Sequence, residues 1–222
     1  MSKLDYCDST ILVLDTSSSV VFAGLLKNGE WLKSTESTEP TLEILFTLVN
    51  QILNECNLHF DEIDYYLYDR GPGSILGIRT AIAAIQSWEI LSDKKNSIRS
   101  FQSLDLIGGS LKREGKENFS IISDWKKGYW NIWQDHRDPE KTISTIDLEG
   151  IQTLCKTSHS TYYLPQRKVW KPLPLELEST LLNPLKIKDL LENSSLIKNT
   201  AFQTAYLPEQ TKYIKWNAKR HR

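Results

Sequence analysis

No hydrophobic run in the chain approaches the roughly 18 to 20 consecutive apolar residues that a membrane span requires. The first apolar segment is too short and too far from the N-terminus for a secretory leader, so a cytoplasmic chain with no membrane partner is expected. Cysteine is scarce: Cys7, Cys56 and Cys155 are three in number, far apart and without a CxxC pair, which argues against a disulfide framework or a zinc ribbon. His59, His136, His159 and His221 stand singly, with no HxxxH to set two imidazoles on one helix face for a metal. Neither sign of charge is in excess, with 27 Lys and Arg against 28 Asp and Glu, so the chain lacks an overall electrostatic attraction to nucleic acid or membrane. Any such partner must be met locally.

The 222 residues have ordinary globular composition and enough length for one large domain or two small ones. ILVLD (Ile11 to Asp15) reads as a strand buried on both faces and ending on a carboxylate. VVFAGLL and EWLKS flank Lys27-Asn28-Gly29, a strong hairpin signal because Asn and Gly both tolerate positive φ. From Thr41 to Cys56, Leu42, Leu45, Phe46, Val49, Ile52, Leu53 and Cys56 recur at helical spacing, with Pro40 suited to the first turn. A strand at Tyr65–Tyr68, a glycine-rich turn and a helix from about Leu76 to Leu91 follow, then a strand near Ile98 and a helix over Ser103–Leu111. Past the charged breaker beginning at Lys112, FSIISD and YWNIWQ predict a second hairpin around Lys126-Lys127-Gly128. A weak helix near Leu148–Leu154, a strand at Thr161–Leu164, and a helix opened by Asn183-Pro184 complete the reading. Domains are expected at 1–111 and 112–222, the second smaller. Both open with a strand ending in aspartate, Asp15 and Asp124, which suggests an internal duplication.

A strand ending in Asp15 before Thr16, Ser17 and Ser18 is how a phosphate-binding hairpin often begins. With Asp124 in the second half, the chain looks like the actin, hexokinase and Hsp70-like superfamily. That superfamily has glycine two residues after the aspartate, where Ser17 and Lys126 stand here, so the phosphate loop reads as degenerate. The bland alternative is that Asp15 and Thr16 only turn the chain. In Arg70-Gly71-Pro72-Gly73-Ser74, continuing to Gly77 and Arg79, the glycines either leave helix amides facing an anion or allow close strand-to-helix packing, and packing is favoured.

GPGSILGIR (Gly71 to Arg79), together with ILVLDTSSS, the hairpin and the following helix, closely resembles the TsaB (YeaZ) family, whose hallmark is GPGSFTGxR. The family's Asp-Ala-Arg-x-Gly-Glu-Val-Tyr-like string survives here strictly only at Asp124 and Gly128, and the closing segment Ala205–Lys219 has Pro208 where arginine is usual. The resemblance implies a two-lobed actin-like (ribonuclease H-like) α/β ATPase fold with a duplicated core and a degenerate second domain. It also implies a non-catalytic, activating partner of a TsaD-like catalytic subunit, which modifies adenosine 37 of tRNA with threonylcarbamoyl. A TsaE-like ATPase and tRNA would join through the complex. No cofactor is required of this chain, though ATP or ADP with Mg could lie at the subunit contact. A family histidine at the start of the first long helix is replaced by Thr41.

The family packs through its first two long helices, which makes Leu45, Val49, Ile52, Ile78, Ile82 and Ile85 candidate interface positions. The competing reading is that this stripe is the domain's own core. Such helices would also allow a homodimer. Trp125, Trp130, Trp133 and Trp170 can serve as base-stacking platforms or, more often, as core. The basic tail Lys215–Arg222 can touch phosphate or remain solvated. The alternative function is a stand-alone ATPase or small-molecule kinase using Asp15 and Asp124; the absence of any glycine after Gly150 weighs against the adenosine loop this would need. A protease is disfavoured because no nucleophile and base stand at a recognisable spacing.

Overall fold

A computed structural model describes residues 6–92, 97–134, 143–156, 160–165, 175–191 and 196–199. Trp170, the histidines at 136, 159 and 221, and the tail Lys215–Arg222 lie outside the described residues. The first sheet holds β1 (Thr10–Asp15), β2 (Val21–Lys27), β3 (Glu30–Ser37), β4 (Tyr65–Asp69) and β5 (Ser97–Phe101), joined by β11 (Lys198–Asn199), in the order β11-β5-β4-β1-β2-β3. The second holds β6 (Phe119–Lys126), β7 (Tyr129–Gln134), β8 (Ile143–Asp147), β9 (Ser160–Leu164) and β10 (Glu178–Ser179), in the order β10-β9-β6-β7-β8.

The duplication read from the two aspartates extends to topology. In each half a central strand pairs antiparallel with its hairpin partner on one side and parallel with a later strand on the other. The order 5-4-1-2-3 becomes 10-9-6-7-8 when five is added to every strand number. The first hairpin turns on Asn28 and Gly29 at φ 54° and 75°, as the Asn-Gly pair predicts.

β1 is buried at all six positions because both faces are covered. Leu12 and Leu14 face α1 (Thr41–Glu55) and α2 (Ile75–Leu91), whereas Ile11 and Val13 face the opposite layer with Phe101, Leu106 and Ile187. Pro40 is the residue just before α1 and not its first turn. α3 (Ser103–Arg113) is a wedge between the sheets: Leu106 joins the core of the first, while Leu104, Ile107 and Leu111 pack with Phe119, Ile121 and Trp133 of the second. Asp105 Oδ1 accepts from Trp133 Nε1–H at 2.9 Å, which anchors the wedge. α4 (Leu148–Lys156) covers the far face of the second sheet through Ile151. Asn183 caps a 3₁₀ turn, its Oδ1 accepting from the Leu185 N–H, before α5 (Ile187–Leu191). The expected division at 111/112 is crossed twice, since α3 packs onto the second sheet and α5 and β11 return to the first.

The candidate interface stripe is corrected here. Leu45, Val49, Ile52, Ile78, Ile82 and Ile85 all belong to one buried cluster beneath the helices and are at most 8% exposed. They face inward because each lies on the side of its helix turned to Leu12, Leu14, Tyr66 and Tyr68; burying each contributes about 1.5 to 3 kcal/mol. Trp130 and Trp133 are likewise core residues of the second sheet. Among the described residues no helix is long and apolar enough to cross a membrane.

Candidate functional site

β1 and β4 run parallel with Leu14 beside Tyr68, so Asp15 and Asp69 emerge together at the carboxyl ends of neighbouring strands. Open α/β sheets commonly bind ligands at such strand ends. Here, however, both carboxyls are 1% exposed and satisfied by the chain itself. Asp15 Oδ1 accepts the Ser17 N–H at 2.8 Å. Asp69 Oδ2 accepts the Ser17 hydroxyl at 2.6 Å, and its Oδ1 accepts the Gly71 and Ser103 N–H groups at 2.8 and 3.1 Å. Burial pushes both carboxyls above the ordinary carboxylate range, against the hydrogen bonds that favour ionisation. Asp69 is raised further because Asp15 stands beside it, and the two are in hydrogen-bonding contact. Two adjacent buried carboxyls cannot both ionise cheaply, so the pair shares a proton.

The glycine-rich turn closes over this pair. The Ser17 carbonyl accepts the Ser74 N–H at 2.7 Å, and Ser74 Oγ caps α2 by accepting the Gly77 N–H at 3.2 Å. A side chain at Gly73 would strike the Ser17 backbone, and one at Gly77 would strike the Thr16 carbonyl oxygen. The glycines thus serve close packing of backbone on backbone. The Ser74 and Gly77 N–H groups at the start of α2 are thereby taken by oxygens of the chain itself. Pro72 accepts from the Ser103 hydroxyl at 3.4 Å, the Arg70 N–H donates to Phe101 at 2.9 Å, and Ser18 turns onto Val20. Arg79 is exposed one turn beyond Ile75.

In the second half, Asp124 accepts the Tyr163 hydroxyl at 2.6 Å, which together with burial raises the phenol above its ordinary range. The register that places Asp69 beside Asp15 places Pro165 beside Asp124, so Asp124 has no carboxyl partner at that position. These residues do not fit a Mg-nucleotide held between Asp15 and Asp124. A hard cation needs ionised, accessible oxygens, and Asp15 is fully buried with its Oδ1 taken by the Ser17 N–H. Among the described residues no group of three His, Cys, Asp or Glu side chains could hold a metal. Asp69 is the residue that sequence reasoning missed as part of the site. Its signal was the same as that of Asp15 and Asp124, a strand, YYLYD, ending on a carboxylate.

No family model matches the chain. It is 35% identical over 78 residues to the tRNA threonylcarbamoyladenosine biosynthesis protein TsaB of Buchnera aphidicola subsp. Baizongia pistaciae, covering 35% of each chain. Against the TsaB protein of Haemophilus influenzae it is 31% identical over 78 residues, 35% of this chain and 33% of that one. The match therefore spans about a third of the length of these curated relatives. In fold the chain is similar to YeaZ from Pseudomonas aeruginosa, with a TM-score of 0.61 at 20% identity over 84% of this chain and 92% of that one. A second structure, described as an uncharacterized protein with similarity to peptidase YEAZ from the same organism, gives a TM-score of 0.63 at 18% identity, covering 90% and 100%. At those identities the likeness is one of fold, an α/β architecture with two mixed sheets.

Gly73→Ala and Gly77→Ala are each expected to lose about 1 to 3 kcal/mol in denaturant unfolding, because backbone and not a flexible side chain must move; wild-type stability in both would refute the packing role. For the carboxyl pair, folded values raised above the unfolded ones mean that the contribution is fully present below the ordinary carboxylate range and is lost as pH rises through the raised values. The chain should lose stability as pH rises from about 4, where unfolded carboxyls ionise, to about 8, the upper of the two raised values. Asp69→Asn should flatten that slope, and an unchanged slope would show that the pair does not carry it.

Proposed function

We propose that this chain, a relative of the TsaB (YeaZ) family in sequence and fold, takes part in tRNA threonylcarbamoyladenosine biosynthesis as a non-catalytic partner of a TsaD-like subunit. The observation that carries the reading is the closed state of the hallmark turn. The residues that resemble a phosphate loop are spent on packing β1, β4 and α2 together, with Asp15 and Asp69 buried and hydrogen-bonded within the chain. Such packing suits a scaffold. Activity alone is not part of this role, and the chain needs no cofactor for it. ATP or ADP with Mg, entering the complex at the subunit contact, would meet this chain as a wall.

The contact surface lies on the outward side of the helices whose inner stripe is core. Leu42 is 66% exposed and Phe46 44% on α1, and Ile90 and Leu91 are 84% and 78% exposed at the end of α2. Phe46 meets Trp88 edge-on at 5.5 Å, so α1 and the last turn of α2 touch there. Leu42 is one turn from Phe46, and Ile90 and Leu91 are within one turn of Trp88. An exposed apolar group of this kind commonly marks a protein contact. The TsaD-like subunit is the occupant that the family relationship favours, with a second copy of the chain as its competitor.

Co-purification with the TsaD-type subunit, followed by sizing of the mixture and of each protein alone, tests the reading. Leu42→Glu or Leu91→Glu is expected to weaken the mixed complex by about 30-fold or more while the thermal midpoint stays unchanged. Val49→Glu, at a fully buried position, should instead abolish folding. Failure of the wild-type chain to form a complex in the presence of nucleotide and tRNA would overturn the proposal.

A further inference from the structure

Arg70, which opens the glycine-rich turn, carries a charge that the fold does not use. Two arginines are half-buried among the described residues. Arg99 donates to the Ile98 carbonyl at 3.2 Å and lies 5.6 Å from the Tyr65 ring centre. The Arg70 side chain meets no hydrogen-bond or ion-pair partner among those residues, and its Nε is shut off from solvent. The acids at this end of the first sheet are turned elsewhere: Asp15 to Ser17, Asp69 to Ser17, Gly71 and Ser103, and Asp105 to Trp133. Enclosing part of a guanidinium without an acceptor costs stability, so Arg70 serves something other than the fold.

Beyond the turn the surface is apolar. Ile75 and Leu76 are 48% and 66% exposed. Leu76, Arg79, Ala83, Ser87 and Ile90 are exposed at spacings of three and four, which makes one face of α2 about 21 Å long from the turn to the Ile90–Leu91 end. A phosphate bound at the turn would need several donors, and the local ones are taken. The Gly71, Ser74, Gly77 and Ser103 N–H groups and the Ser17 and Ser103 hydroxyls all donate to oxygens of the chain. A single planar cation at the end of an apolar helix face matches one carboxylate carried on apolar protein surface, which it can hold through two parallel hydrogen bonds. Enclosure of Nε restricts the side chain beforehand, so less freedom is lost when the acid arrives.

We propose that Arg70 is the polar anchor of the partner contact, receiving an Asp or Glu carboxylate of the TsaD-type subunit while Ile75 and Leu76 meet apolar surface around that acid. This deepens the scaffold reading and rests on it for the identity of the partner.

The test measures binding of the full chain to the TsaD-type subunit, with Arg70→Met, which keeps the aliphatic stem, and Arg70→Lys, which keeps the charge without the fork. Arg70→Met is expected to weaken the mixed complex about 30-fold or more and Arg70→Lys by a smaller factor, and the wild-type complex to be the more salt-sensitive of the wild-type and Met forms. The thermal midpoint of Arg70→Met alone should equal or exceed that of the wild type, because a partly enclosed charge without a partner has been removed. A lowered midpoint, or wild-type affinity in Arg70→Met, would overturn this proposal and leave the scaffold reading standing. A midpoint raised by ADP or inorganic phosphate in the wild type and not in Arg70→Met would also overturn it, assigning the guanidinium to a phosphate. Loss of self-association in Arg70→Met with the mixed complex intact would assign it to a second copy of the chain and overturn it likewise. Absence of any mixed complex with the wild-type chain would overturn both readings together.

Discussion

Two carboxyls buried side by side at the ends of β1 and β4 set the constraint on which the first half depends. A single buried carboxylate needs donors; two in contact also need a proton between them. Asp15 and Asp69 obtain their donors from the chain after β1, the chain after β4 and the start of α3. Those three segments are thereby fixed relative to one another. Gly73 and Gly77 complete the junction by letting α2 seat directly on the Thr16 and Ser17 backbone. What resembles a ligand loop in sequence is a joint in which the protein supplies its own hydrogen-bond partners.

The second half repeats the strand order without repeating this joint. Its central strand runs past Asp124 to Lys126, the parallel neighbour brings Pro165 to the place of Asp69, and Asp124 turns to Tyr163. At the tip of its hairpin Lys126, Lys127 and Tyr129 are exposed, while Trp125 is half-buried. A duplicated architecture thus diverges into a half that holds its helices rigidly and a half that displays a hairpin.

The helices illustrate the same division of labour. One side of α1 and α2 is sealed by the first sheet, where Val49, Ile52 and Ile85 have no exposure at all. The other side leaves Leu42, Ile90 and Leu91 in solvent. A helix apolar on more than one side can satisfy its own domain and still present a surface, and α2 is of that kind.

The local elements were legible in the sequence because their causes are local. Positive φ at Asn28-Gly29, the 3.6-residue recurrence along α1, the β-branched run of β1, and the aspartate that ends it all act over a few residues. The resemblance carried by GPGSILGIR was legible for the same reason, since close packing there demands glycine whatever lies elsewhere. Tertiary structure alone decided which side of each helix faces inward, because a stripe of Leu45, Val49 and Ile52 has the same spacing whether a sheet or another protein covers it. It also decided that Asp69 joins Asp15 although 54 residues separate them, and that β11 returns to the first sheet. Those outcomes depend on burial shared between distant segments, and no short window of sequence contains that information.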